Sequence, residues 1–527
     1  MRSFAVTILL VAALTGSLGE AQADPDAADA ATLPPHPLAL ALSATPSEGL
    51  PEAVTVADPV DLEAALPFLD GAGAAAGWSA LRLGRLYMHR RRFREAEDFL
   101  EFAAQGDAVV ATRAKASLER LHLRSQSRPN RIGALLPLTG PYGQIGRTAK
   151  EAIELALVDT GIELVLADTG GDAVRAPVAL ESLVYDKHVA AVIGPVGSIE
   201  SLAAARTAER LEVPIVVLSS REKITRVGTF VFRHRLTRGN QAEAIARHAI
   251  EELGFRRFGI LYPKSRYGRE MMTSFWRTVE RLGGEVRAAQ GYSVHDRKVS
   301  DPIKRMIGRY YIDDREVDPH WESLNRKSKD KSLHVPPVVE FEALFIPDSG
   351  RRLRRILPFL AYWDIELKTD PVLSPLAFSH KYGGAVPQLV QVLGGSGFND
   401  QRLVDRPLSQ AAHSVFVDAF WPNAAGARVF VDRWRARNQR PPPALAAHAY
   451  DAAQLLARAV KDQQDRGAVR RALLGIRDHA GVFGPTRIEG DGEITYGLHV
   501  LTLDPDAGIT PYQGITLEEM SDEDAPM

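Results

Sequence analysis

The stretch that decides the fold is Arg131–Tyr142, RIGALLPLTGPY. Ile132 to Leu136 is apolar throughout, the pattern of a parallel strand covered on both faces. Thr139-Gly140-Pro141 interrupts it, and Gly140 lets backbone approach whatever sits at the strand's carboxyl end. Open α/β sheets bind ligands at that end, so the stretch reads as the first β-α unit of a ligand-binding lobe. Downstream, apolar strands at 132–136, 163–167, 190–193 and 214–218 are separated by amphipathic helical segments, which predicts a doubly wound parallel sheet. A second cycle has strands near 258–262, 286–292, 342–346, 389–393 and 414–418. Two such sheets predict an α/β chain of two lobes with a cleft between them. Lobe I spans about 131–236 and 420–480, and lobe II about 237–419 and 481–504. Segment 297–340, with its charged run Asn325–Lys331 and its Pro336-Pro337 pair, reads as an exposed insertion. Segment 369–387 reads as a second insertion, and 505–527 as a flexible acidic tail.

Upstream, Met1 and Arg2 precede an apolar run from Phe4 to about Leu18, and Ala21-Gln22-Ala23 supplies small residues for cleavage. Residues 1–23 therefore read as a signal peptide, with a retained anchor as the alternative. The run is too short for a spanning helix, so the mature chain should be periplasmic with no direct membrane insertion. Residues 24–58, rich in Ala, Pro and Asp, predict a disordered linker. Residues 59–125 predict a helical module. In WSALRLGRLYMHRRRFREAEDFLEFAA, 78–104, Leu83, Gly84, Tyr87, Phe93, Ala96, Leu100 and Ala103 fall at the offsets of one tetratricopeptide repeat. A plain helical hairpin fits the same pattern. The chain has 527 residues and no cysteine, which excludes disulfides, thiolate metal sites, a cysteine nucleophile and a lipid-modified cysteine. With 64 basic and 66 acidic side chains, no broad field favours nucleic acid.

The order LLPLTGPYGQIG, LVLADTGGD, VAAVIGPVGSIES, VPIVVLSS, FGILYPKSRYGRE resembles the type I periplasmic binding proteins of the branched-chain amino acid class. VFGPTRIEGDGEITYG is similar to that family's closing hairpin, with Asp491-Gly492 as the turn. FEALFIPDSGRRLRRILPFLAYWDI and VQVLGGSGFNDQRL also resemble the outer-membrane activators of penicillin-binding proteins, which pair a tetratricopeptide-like domain with this fold. The resemblance implies a non-catalytic regulator that contacts a peptidoglycan synthase. The alternative is the solute-binding protein of an ABC importer, whose partners are a permease and a small molecule such as an amino acid. A sensory or scaffold role on the same fold is a third reading.

The resemblance places the ligand's carboxylate at Gly194-Pro195-Val196-Gly197-Ser198, so Ser198 is a candidate contact; its other role is to cap the helix from Ile199. Ser219 and Ser220 follow the fourth strand, where they can face the cleft or form the turn. Arg221 and Glu222 make this loop bulkier and more charged than that of amino acid binders. Tyr267 matches the tyrosine that closes over the ligand from the second lobe, and could equally pack on its own lobe. Asp348 and Ser349 end the 342–346 strand, where Asp348 can hold a ligand amine or the pair can cap the next helix. Gly394–Gly397 stands where amino acid binders place a further acid. No phosphate loop, nucleophile elbow or metal-ligand spacing appears, so no catalytic residue, metal or cofactor is expected.

Overall fold

The computed structural model describes residues 36–512 apart from 72, 91, 126, 296–298, 369–374, 385–386, 406–407, 462 and 464. The expected signal peptide and the end of the expected tail lie outside the described residues. Lobe I is a sheet of five parallel strands: β1 (Arg131–Leu136), β2 (Glu163–Asp168), β3 (Ala191–Ile193), β4 (Ile215–Val217) and β5 (Val231–Arg233), in the order β2-β1-β3-β4-β5. Ile132, Ala134 and Leu136 enter the core on one face of the sheet and Leu135 the core on the other, which is why β1 is apolar without alternation. Gly140, at φ +73°, turns the chain out of β1 in the left-handed region open to glycine.

Lobe II carries β6 (Arg257–Pro263), β7 (Glu285–Tyr292), β8 (Ala343–Phe345), β9 (Gln391–Gly394) and β10 (Val415–Asp418). After a small sheet of β11 (His479–Gly481), β12 (Gly484–Ile488) and β13 (Ile494–Thr495), the chain returns through β14 (His499–Asp504) and β15 (Gly508–Pro511). The second sheet then runs β15-β14-β10-β9-β8-β6-β7, with β14 and β15 antiparallel. The chain thus passes between lobes after β5, after β10 and before β14.

The structure corrects four expectations. The 24–58 stretch is not all linker, since Pro37–Ala44 and Leu50–Val56 are helices. Each is about two turns long, with proline near its start and one apolar pair four residues apart (Leu38 and Leu42, Leu50 and Val54), too short to show sustained periodicity. Strand β5 adds to the four expected strands of lobe I; its apolar run Phe230–Phe232 stops at Arg233-His234-Arg235, which masks it in the sequence. The tail begins as structure, with β15 pairing on β14. The 481–495 hairpin belongs with lobe I, since Val482, Phe483, Ile488 and Ile494 join its core.

The helical module packs Ala74–His89 against Phe93–Ala103, with Tyr87 stacked on Phe99 at 5.3 Å and its hydroxyl donating to Glu63 at 2.6 Å. The helix Ala108–Ser125 covers this pair and reaches the Arg175–Tyr185 helix of lobe I. Among the described residues no helix is long and apolar enough to cross a membrane. A methyl group on Gly84 would lie 2.6 Å from Leu100 Cγ and 3.3 Å from the Ala96 carbonyl, so the helices meet there backbone to side chain. Helix propensity alone favours Gly84→Ala by about 1 kcal/mol. Overpacking should reverse the sign and cost about 1–3 kcal/mol in denaturant unfolding followed by circular dichroism; a stabilised variant would show the seam to be loose.

Candidate interlobe site

The site is built where strands of both sheets end. On lobe I, Asp168 closes β2 and accepts from the backbone N–H of Leu138 (2.8 Å), the Thr139 hydroxyl (2.6 Å) and the backbone N–H of Gly170 (2.8 Å). Burial alone would raise its pKa, but these donors hold the carboxyl below its ordinary value. The Thr-Gly-Pro turn is fixed by that carboxylate.

After β3, helix Ser198–Leu211 begins at Ser198 itself, with Gly197 at the cap, so Ser198 does not take the capping role. That role falls to Glu200, which is buried, accepts from Gly197 N–H at 2.8 Å and takes the Thr169 hydroxyl at 2.6 Å. Ser198 instead accepts from the Arg221 guanidinium at 3.4 Å. Ser219 is buried and accepts from the Arg221 N–H at 3.2 Å, the turn-forming role, while Ser220 is half-buried. The structure therefore joins Ser198 and Ser219 through Arg221, whose bulk and charge the sequence shows but whose contacts it does not. Arg221 makes no ion pair with any described carboxylate, and its carbonyl accepts from Arg233 at 2.8 Å.

On lobe II, Tyr267 lies in the first turn of Arg266–Arg281, packed on the lobe's core with the Arg238 guanidinium 5.6 Å from its ring centre. Arg238 is itself hydrogen-bonded to Glu270. Burial, then the nearby Asp348 carboxylate, push the Tyr267 phenol up to about 12, so it stays a hydroxyl donor. Asp348 is buried and committed: it accepts from the Tyr292 hydroxyl, from Arg352 Nε at 2.6 Å and from the Ser349 N–H at 2.7 Å. It is therefore neither a free partner for a ligand amine nor a side-chain cap of the usual kind. Ser349 is exposed at the cap of Gly350–Tyr362 and makes no side-chain capping bond. At the Gly394–Gly397 end, Ser396 donates through N–H and hydroxyl to Gln241 (3.1 and 2.9 Å).

Two contacts lie beyond the sequence expectations, one at Asp418 and one made by Glu222. Asp418 ends β10 and accepts from Asn399 (2.9 Å) and the Ala419 N–H (2.7 Å); an acid closing an apolar VFVD run was the available signal. Glu222, exposed in lobe I, accepts from the Gly239 N–H of lobe II at 3.0 Å and so links the two halves. Among the described residues no group of His, Cys, Asp and Glu could hold a metal ion.

The sequence matches the periplasmic binding protein family over residues 129–308 and 383–508, more than half the chain, and the protein belongs to that family. Its fold is similar to that of a protein assigned as a branched-chain amino acid ABC transporter in Rhodospirillum rubrum, at 20% identity and TM-score 0.56, covering 72% of this chain and 99% of that one. A branched-chain amino acid substrate-binding protein of Streptococcus pneumoniae in complex with isoleucine aligns at 20% identity and TM-score 0.50, covering 73% and 100%. A solute-binding protein of an ABC transporter of Rhodopseudomonas palustris in complex with 3,4-dihydroxybenzoic acid aligns at 17% and 0.51, covering 72% and 94%. No curated protein matches the chain significantly.

Burial, the largest influence on Asp418, raises its pKa from 3.8 to about 6 against the opposing hydrogen bonds. The folded state therefore holds a proton that the unfolded chain releases near pH 4. The resulting stability is full below about pH 4 and lost as pH rises through about 6, on the order of 2–3 kcal/mol. Plotting the unfolding free energy of the parent minus that of Asp418→Asn against pH should show this slope; a flat difference across the window would refute it.

Proposed function

We propose that this chain is an exported, non-catalytic solute-binding protein of an ABC importer, and that its interlobe cleft takes a small organic carboxylate. The carrying observation is the Arg221 guanidinium, free of any carboxylate partner among the described residues and 3.4 Å from the Ser198 hydroxyl at a helix start. A guanidinium and a hydroxyl side by side suit a ligand carboxylate. The two relatives named with ligands are bound to isoleucine and 3,4-dihydroxybenzoic acid, both of which carry one. Because Asp348 is committed and no acid stands at Gly394–Gly397, an amino group on the ligand has no dedicated partner. This favours carboxylates over free amino acids. Tyr267 serves as the hydroxyl donor from lobe II, and the lobes close by hinging at their crossings. Export by residues 1–23 and delivery to a permease complete the reading.

A second reading, regulation of a peptidoglycan synthase by contact, is favoured by one observation: Glu222 of lobe I holds the Gly239 N–H of lobe II and so ties the lobes directly to each other. Such a cleft serves as a scaffold, and the helical module as the contact surface.

Calorimetric titration of the chain with benzoates, branched-chain 2-oxo acids and amino acids tests the choice. A carboxylate should bind, and Arg221→Ala should weaken it by about 1.5–3 kcal/mol, the range for a hydrogen bond to a charged group. Binding that survives Arg221→Ala unchanged would dismiss the proposed contact. No binding across the panel, with co-purification of a cell-wall synthase, would turn the conclusion to the regulator.

A further inference from the structure

A cavity of about 770 Å³ opens on the crossover side of the two lobes. It lies between the loop after β4, the chain crossing that follows β5, the Arg266–Arg281 helix and the hairpin before β14, and none of the six candidate residues of the cleft lines it. Arg226 and Arg233 reach it from lobe I, Arg235 from the crossing, and Arg277 and Arg281 from lobe II.

Its acids are already engaged. Glu493 takes Arg233 and the Thr225 hydroxyl. Glu243 takes Arg281 at 2.8 Å, and Glu489 takes Arg487 at 2.7 Å. Glu222 holds the Gly239 N–H, and Asp491 the Glu493 N–H. Glu222 and Asp491 keep their charge, since backbone N–H groups hold them, but Lys223, Arg226, Arg235 and Arg277 form no salt bridge among the described residues, so the excess is cationic. Arg226 and Arg277 are exposed and pair with no described residue. Arg233 is 6% exposed, yet its Nε has no acceptor, and Nη1 of Arg235 is likewise buried without one. Burial lowers the pKa of Arg235 against the pull of the nearby Asp418, but a guanidinium keeps its proton, so a charge with no hydrogen-bonded acceptor at Nη1 sits at the cavity wall. Buried donors without acceptors are uncommon and costly in folded proteins.

We infer that this cavity binds a multivalent anion, a phosphorylated or polycarboxylated small molecule, whose oxygens satisfy Arg233 and Arg235 while Arg226 and Arg277 hold it from either lobe. The volume suits a ligand of small-metabolite size better than a lone ion. An anion held by both lobes stabilises the spacing between them. The inference does not depend on what the Ser198–Tyr267 cleft takes.

The test is calorimetric titration and thermal melting of the whole chain with inorganic phosphate, pyrophosphate and citrate at constant ionic strength. Saturable binding of pyrophosphate or citrate is expected, with a rise in melting temperature. Arg235→Met and Arg277→Ala should each weaken it at least about tenfold, the loss of one charged hydrogen bond. Arg351→Ala, which removes an exposed arginine elsewhere on lobe II, should leave it unchanged. Should Arg235→Met fail to fold, surface-exposed Arg277→Ala still decides. Preference for pyrophosphate over citrate would mark a phosphorylated ligand, and equal binding a polycarboxylate-tolerant site. Absence of saturable binding by all three, or equal weakening by Arg351→Ala, would overturn the inference.

Discussion

Arg233 is where the parts of the interlobe region are tied together. It is the last residue of the edge strand β5, and from there its guanidinium donates to the Arg221 carbonyl at 2.8 Å and to Glu493. Its backbone N–H reaches the Gly492 carbonyl at 3.1 Å. One side chain thus sets the height of the Arg221 loop, which delivers the guanidinium to Ser198, and anchors the hairpin turn that precedes the last crossing between lobes. Removing the Arg233 guanidinium would leave the half-buried Glu493 without its charge partner, the costly way to break such a pair. The positions of Arg221 and Glu222 both follow from this tie.

Behind it lies a second buried group. His234, next in the chain, contacts His448 at 3.0 Å and Asp451 at 3.0 Å, and Asp451 also accepts from the Val482 N–H at 3.0 Å. Burial keeps His448 neutral, while its histidine neighbours hold Asp451 ionised despite burial. The first crossing therefore leaves lobe I from a rigid polar joint.

The alternation of apolar strands and amphipathic helices made the two sheets legible in the sequence, because a strand buried on both faces must be apolar throughout. Strand β5, whose apolar run ends at once in Arg233-His234-Arg235, and helices of two turns, such as Leu50–Val56, carry too little period, and their partners decide them. The cleft was partly legible. Ser198, Ser219 and Tyr267 stand at strand ends, which chain order fixes. The reach of Arg221 across to Ser198 depends on a side-chain direction set by Arg233, and Asp348 is satisfied by Tyr292, 56 residues earlier. Such pairings have no trace in local sequence.

The Ala108–Ser125 helix, about 27 Å long at 1.5 Å per residue, runs from the helical module to the Arg175–Tyr185 helix of lobe I. With the lobes hinging as proposed, a body fastened to one of them acts as a lever. A rotation too small to register at the cleft is magnified at its far end. A protein gripping that end and lobe II together would feel whether the lobes are apart, and so read occupancy without touching what lies between them.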